Sequence, residues 1–142
     1  MTACRWVTFV AVMAMTGVIG AIAGPETSNA VDRGKQKRTM AAMRSIGAAI
    51  ESYAVDNNVY PITSSVESLR PLLEPRYIKA MPMSDGWGQS FQIDASTSSY
   101  TLFSFGKDGA GVTCTAGTTT HFFNEICFVN GAFTRYPSGP QQ

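Results

Sequence analysis

The side chains that could act as acids, bases or nucleophiles are few and scattered in this chain of 142 residues. The single histidine, His121, stands beside two phenylalanines in a Thr-rich stretch. The sequence carries no Gly-x-Ser-x-Gly motif, phosphate-binding loop or zinc-spaced cluster to accompany it. Asp85 and Asp94 could pair as an acid and a base, but a turn and a hairpin loop explain them more simply. The pattern therefore predicts no catalytic residue and no enzyme.

Two of the three cysteines could form a structural cross-link. Cys4 lies in an apolar segment, which leaves Cys114 and Cys127 as a pair. A disulfide is expected between them if this region is exported to an oxidising compartment. The alternative is two buried free thiols, because neither a CxxC motif nor a Cys/His metal spacing is present.

The net charge of the chain indicates no particular partner, but the positive charges are unevenly distributed. The formal net charge is +1, so nothing in the composition calls for a nucleic-acid partner, and no motif points to a small-molecule substrate. Positive charge is nevertheless concentrated at Arg33, Lys35, Lys37 and Arg38. This basic cluster could meet anionic lipid head groups or a neighbouring subunit, or form a solvated helix face.

The N-terminal segment is expected to take the chain out of the cytoplasm. Trp6 to Ala23 carries no charge and follows Arg5. A basic start, an apolar middle and a small-residue end are typical of a cleaved signal peptide. An uncleaved membrane anchor is the alternative, with the basic cluster on its flank.

A long helix is predicted from Ala30 to Asn57, after a break at GPETSN. Apolar side chains recur there at steps of three and four residues, which places them on one helix face. They are Met40, Met43, Ile46, Ile50 and Tyr53. A shorter helix follows, with Ser64 as its N-cap, Glu67 completing a capping box, and Pro71 kinking or splitting it.

The C-terminal half changes to a period of two, which indicates strands. Phe91 and Ile93 begin one hairpin, with a loop over 94–99. A second hairpin turns at Asn130-Gly131, a dipeptide typical of a type I′ turn. The Gly- and Thr-rich stretch between the hairpins predicts a long loop.

The segment Asp85-Gly86-Trp87-Gly88 must turn sharply. Glycines on both sides of Trp87 let the backbone approach its neighbours, while the indole is large enough to anchor the turn. We expect Asp85, Trp87 and Gly88 to form a structural hub between helix and sheet, with the Asp85 carboxylate accepting backbone N–H groups.

These elements predict an α+β fold in which a long N-terminal helix packs on a small antiparallel sheet, with a short helix between them. With 44% hydrophobic residues, the chain is long enough for one compact domain but not comfortably for two. The expected division is 1–29 for the export segment, 30–136 for the domain and 137–142 for a disordered tail.

The combination of these elements resembles type IV pilin-like proteins, and specifically the major pseudopilins of type II secretion systems. The resemblance rests on four stretches that cover nearly the whole chain. They are RGKQKRTMAAMRSIGAAIESYAVDNNVYP, LRPLLEPRYIKAMPMSDGWGQSFQI, YTLFSFGKDG and EICFVNGAFTRYP. It also implies that the helix runs through IAGPETSNAVDR, proline included.

The resemblance fails at the N-terminus. Aligning backward places Ala3 at the family's leader Gly, Cys4 at its Phe and Thr8 at its Glu. The Gly and Phe are what the family's prepilin peptidase reads, and the Glu neutralises a neighbouring amino group in the fibre. A hydroxyl does not replace such a buried ion pair. The resemblance therefore does not carry the usual processing and polymerisation over to this chain.

By the same resemblance, the loop after the second strand would hold calcium. Asp108 would supply a carboxylate, Asn124 and Glu125 would take the positions of two Asp ligands, and the Phe105 carbonyl would help to complete the shell. The alternative is a Gly-rich loop fixed by the two cysteines in place of a metal.

The implied function is structural: a pseudopilus subunit of a type II secretion system or related fibre, with other pilin-like subunits and inner-membrane secretion components as partners. The basic cluster would then be a subunit contact. The location would be the bacterial inner membrane with a periplasmic head. The alternative is a stand-alone periplasmic or secreted pilin-like binding module that does not polymerise, reached if the N-terminal segment is cleaved.

Overall fold

The computed structural model describes residues 25–111 and 114–141. The chain divides into two units, Met1–Val31 and Asp32–Gln142, and the sheet and the hydrophobic core both belong to the second. The expectations for a signal peptide or anchor, and for Ala3, Cys4 and Thr8, fall on residues outside the described part.

Helix α1 spans Pro25–Asn57. Pro25–Asn29 is helical, so the predicted break at GPETSN is wrong and the continuity implied by the resemblance is correct for these residues. Proline's fixed φ is itself compatible with a helix. The predicted C-terminal end is confirmed: Asn58 adopts a φ of 59° and its N–H bonds the Ala54 carbonyl at 2.8 Å.

The predicted apolar stripe of α1 faces the core. Met43, Ile46 and Ile50 are fully buried, and Met40 and Tyr53 pack against them at the margin. Their cluster also contains Phe91, just ahead of the sheet, and side chains of the second helix and of the sheet, among them Leu69, Leu73, Ile93, Leu102, Ile126 and Phe128. One hydrophobic core therefore joins α1, the second helix and the sheet.

Helix α2 spans Val66–Leu73 and begins one residue later than predicted. Its N-cap is Ser65, whose side chain accepts the Ser68 N–H at 3.2 Å, whereas Ser64 is exposed. Glu67 is then the second helical residue, too early for a capping box, which needs the third. Pro71 lies inside the helix without splitting it.

Within the described residues the sheet has five strands. They are β1 Gln92–Ala95, β2 Tyr100–Ser104, β3 Gly117–Thr119, β4 Ile126–Val129 and β5 Ala132–Pro137. Their order across the sheet is β1-β2-β4-β5-β3. The three pairs β1–β2, β2–β4 and β4–β5 are antiparallel, and the predicted turn between β4 and β5 has positive φ at Asn130 and Gly131. Both predicted hairpins are present, although Asp94 lies in β1 and not in the loop.

Strand β3 was not predicted from the sequence. It lies in the stretch predicted to be a long loop and pairs in parallel with β5, so the sheet is mixed and not purely antiparallel. Gly117, Thr118 and Thr119 carry no apolar alternation, so only the presence of β5 beside them defines the strand.

The C-terminal segment is also placed differently from the expected disordered tail. Pro137 ends β5, and Gln141 is only 5% exposed. The Gln141 amide donates to the Thr119 carbonyl at 2.8 Å and accepts from Gln36 of α1 at 3.3 Å. The segment is held because its polar side chain finds partners on both β3 and α1.

Candidate functional site

The structure does not bring together the residues considered for catalysis. His121 is exposed. Asp85 is buried in its turn, while Asp94 is exposed on β1 opposite Thr101. Within residues 25–111 and 114–141 no group of three or more His, Cys, Asp or Glu side chains is arranged to hold a metal ion.

The polar cluster that the structure does assemble is centred on Asp85. One carboxylate oxygen, Oδ1, accepts the backbone N–H groups of Trp87 and Gln89, each at 2.9 Å. The other, Oδ2, accepts the hydroxyl of Ser104 at 2.6 Å. Both oxygens are satisfied, which is what allows a carboxylate to be 4% exposed. Asp85 thus fixes the shape of its own loop and joins it to β2.

Gly86 lets the same loop lie directly against α1. A Cβ at this position would overlap the backbone of Lys35, so no other residue fits without a shift. The Gly86 N–H donates to the Thr39 hydroxyl at 2.9 Å, and that hydroxyl donates to the Lys35 carbonyl at 3.0 Å. Close approach and hydrogen bonding both depend on the missing side chain.

Trp87 extends the contact along α1. Its indole is half-buried, and Nε1–H donates to Asp32 Oδ1 at 3.1 Å. The second oxygen of Asp32 pairs with Lys107 Nζ at 2.7 Å. Gly88 completes the turn with a φ of 91°. The segment 85–88 therefore contacts α1 and β2 directly, and Asp32 extends the contact to Lys107 in the loop after β2. It lies in the place where the sequence predicted a structural hub.

The surroundings of Asp32 lower the pKa of its carboxyl. Burial by itself raises the pKa of its carboxyl, but the hydrogen bonds from Lys107 and Trp87, together with nearby lysine charges, outweigh burial. The net result is a pKa below the ordinary value of 3.8. Asp32 is accordingly held as an anion, which suits an anchor and not a proton donor.

The polar residues of α1 that meet this loop and the C-terminal segment were not predicted. Asp32, Gln36 and Thr39 are buried, and they continue the Met43 and Ile46 stripe toward the N-terminus at steps of three and four residues. That spacing was readable from the sequence. They were not included in the predicted helix face because that face was defined by apolar residues alone.

The basic cluster lies on the N-terminal half of α1. Arg33, Lys37 and Arg38 are exposed, and Lys35 is half-buried. Arg33 and Lys37 also border a groove between α1 and residues of the C-terminal segment, including Pro137 and Pro140. These cations are therefore accessible on the surface of the head.

Cys114 and Cys127 form a disulfide in the structure, with their Cα atoms 5.9 Å apart. Cys127 is fully buried in β4, while Cys114 lies ahead of β3. The bond thus fastens the Gly- and Thr-rich stretch to the centre of the sheet.

The residues considered for calcium do not make a good calcium site. Asp108 is exposed, and its Oδ1 accepts the N–H of Ala110 at 3.1 Å. The Glu125 carboxylate already has a cation beside it, the guanidinium of Arg135 at 3.2 Å. Asn124 brings no charge, and calcium affinity follows the number of charged ligands. The oxygen donors of Phe105 and these side chains together carry too little charge for a good calcium site, and some of them already bond other groups of the protein.

Neither helix in the described part of the chain combines the length and the apolar character that crossing a membrane requires.

The chain is similar to known proteins of one family. Residues 26–120 match the family described as type II secretion system (T2SS), protein G, a region that includes α1, the 85–88 loop and β1–β3. Type II secretion system core protein G of Pseudomonas aeruginosa is 29% identical over 111 residues, covering 69% of this chain and 78% of the relative. The protein of that name from Pectobacterium carotovorum is 26% identical over 113 residues, covering 69% and 70%. The resemblance to major pseudopilins is confirmed, and the chain belongs to the type II secretion system protein G family.

Proposed function

We propose that this chain is a structural subunit of the pseudopilus of a type II secretion system and that it works by assembly. The observation that carries the proposal is the family match over residues 26–120, which covers the long helix and most of the sheet in one stretch. The hydrogen-bonded groups of the Asp85 cluster serve packing, and they leave no paired acid and base for catalysis within that cluster.

The structure supports a role for the Asp85 and Asp32 contacts in packing. They hold the 85–88 loop, the sheet and the part of α1 from Asp32 onward together. Other pilin-like subunits are the proposed partners, together with inner-membrane secretion components. The proposed location is the bacterial envelope, with the N-terminal segment in the inner membrane and the head in the periplasm.

The basic cluster is the proposed contact between subunits. Arg33, Lys37 and Arg38 are exposed on one half of α1, where a neighbouring subunit could reach them. Complementary charge across such an interface fixes register and excludes wrong partners, and like charges placed opposite each other cost several kcal/mol.

Charge reversal tests this contact. We expect Lys37→Glu to reduce the amount of cross-linked assemblies several-fold. Secretion by cells that lack their own protein G and carry this variant should fall to a similar extent, and the melting temperature of the variant should not change. Lys79→Glu is the matched control, because Lys79 is also exposed but lies outside α1. Equal loss in both variants, or in neither, would contradict the assignment of the contact to the basic cluster.

Processing tests the proposal against the stand-alone alternative. The mass and N-terminal sequence of protein taken from its native membrane show whether the chain starts at Met1, near Cys4 or at Gly24. Retention of the segment Trp6–Ala23 in membrane-bound assemblies supports the pseudopilus role. A start at Gly24 with monomeric protein would favour a secreted or periplasmic binding module.

A further inference from the structure

A half-buried ion pair lies where the loop after β2 meets the closing hairpin. Glu125, just before β4, pairs with Arg135 of β5, and Oε2 and Nη2 are 3.2 Å apart. Their side chains are 19% and 22% exposed. Pairs that are largely shielded from water are screened less and held more firmly than those on the open surface.

This pair contacts more than its own two strands. The side chain of Glu125 lies over the α-carbon of Gly111, close enough that a Cβ there would meet its Cγ at 2.7 Å. On the other side, Arg135 Nη1 is 3.5 Å from the carbonyl oxygen of Thr115. The carboxylate and guanidinium therefore join the end of the loop after β2, the approach to β3, and β5.

The disulfide reinforces the same place. Cys127 is the register partner of Arg135 across β4 and β5, and its sulfur is bonded to that of Cys114. One residue after Cys114, Thr115 lies against the guanidinium. An ionic link and a covalent link thus hold the same chain segments together.

We propose that Arg135 serves as the built-in cation of this loop and that, with the disulfide, it makes the head independent of calcium. A divalent ion bound through Glu125 would either displace the guanidinium or lie close to a like charge, and both cost free energy. A fixed cation avoids this conflict, and it neutralises the carboxylate without drawing an ion from solution. This role does not depend on the assembly role proposed above.

The first test is the melting temperature of the purified, oxidised full-length chain in 1 mM CaCl₂ and in EDTA. We expect the two values to agree within about 1 °C, since a ligand that binds only the native state shifts the unfolding equilibrium by mass action. A rise of more than about 3 °C in calcium that is lost in Asp108→Asn would overturn the proposal. This measurement stands even if the substitutions below fail to fold.

The second test concerns the cation itself. We expect Arg135→Gln to lower the melting temperature by several degrees in both buffers. Arg76→Gln is the matched control, because Arg76 also pairs with a carboxylate but its side chain is 74% exposed, and we expect a change below about 1 °C. The double variant Arg135→Gln/Glu125→Gln should lower the melting temperature by clearly less than the sum of the decreases caused by the two single substitutions. Strict additivity, or an effect no larger than that of the control, would overturn the role of Arg135.

Discussion

Replacing Asp85 by alanine should be among the most damaging single changes in the head. The substitution removes three hydrogen bonds, to the N–H groups of Trp87 and Gln89 and to the hydroxyl of Ser104. Hydrogen bonds to a charged group contribute about 1.5–3 kcal/mol each, and the gain from no longer burying the carboxylate offsets part of the sum. Ser104 is fully buried and loses its acceptor. We expect a loss of about 3–5 kcal/mol in the free energy of unfolding.

Urea and thermal unfolding of the full-length chain measure this loss. For a unit of the size of Asp32–Gln142, the entropy of unfolding is about 0.23 kcal/mol/K, so the melting temperature should fall by about 13–21 °C. Asp94→Ala is the control: this aspartate is exposed on β1, and its replacement should change stability by less than about 0.5 kcal/mol. Asp85→Asn keeps an acceptor and should cost about 1–2 kcal/mol. An Asp85→Ala variant within about 1 kcal/mol of the parent, by the same measurement, would refute the reasoning.

Three further changes test the neighbouring contacts. Gly86→Ala forces a methyl group into the backbone of α1 and should cost at least about 2 kcal/mol in urea unfolding, whereas Gly34→Ala, with nothing within 4 Å, should stabilise the helix by about 0.5–1 kcal/mol. Because the pKa of Asp32 is lowered in the folded state, its contribution to stability is complete above the pKa of the unfolded chain and is lost as the pH falls through the pKa of the folded protein. The parent should therefore lose stability below about pH 4 more steeply than Asp32→Asn, as measured in acid titrations followed by circular dichroism. Replacing Cys114 and Cys127 by serine opens a loop with a sequence separation of 13 and should cost about 3 kcal/mol in urea unfolding; no change in stability would mean that the bond is absent in the native protein.

Much of the fold could be predicted because its signals are local. The stripe through Met43, Ile46 and Ile50 repeats with the period of a helix, and Asn130-Gly131 takes the positive φ values that its turn requires. The ends of the helices could be predicted less precisely than their existence. Ser64 and Ser65 are chemically identical candidates for the α2 cap, and only the backbone geometry selects the second.

The Asp85 site was predicted in part. That 85–88 must turn and anchor something follows from Gly, Trp and Asp in sequence, because each residue type has few other uses in that order. Its partners Asp32, Thr39 and Ser104, and Lys107 that pairs with Asp32, come from other segments of the chain. The loop itself is readable from adjacent residues, whereas the polar residues that it contacts are set by the tertiary packing.

The sequence by itself determined the elements: an amphipathic helix, a glycine-flanked tryptophan turn, two hairpins and a cysteine pair. Each depends on periodicity or on the backbone preferences of a few adjacent residues. The tertiary structure alone decided that β3 pairs in parallel with β5, that Gln141 folds back onto α1, and that Arg135 lies beside Glu125. Such contacts depend on which surfaces remain free after the core has formed, and their partners are separated by 10 to 105 positions along the chain.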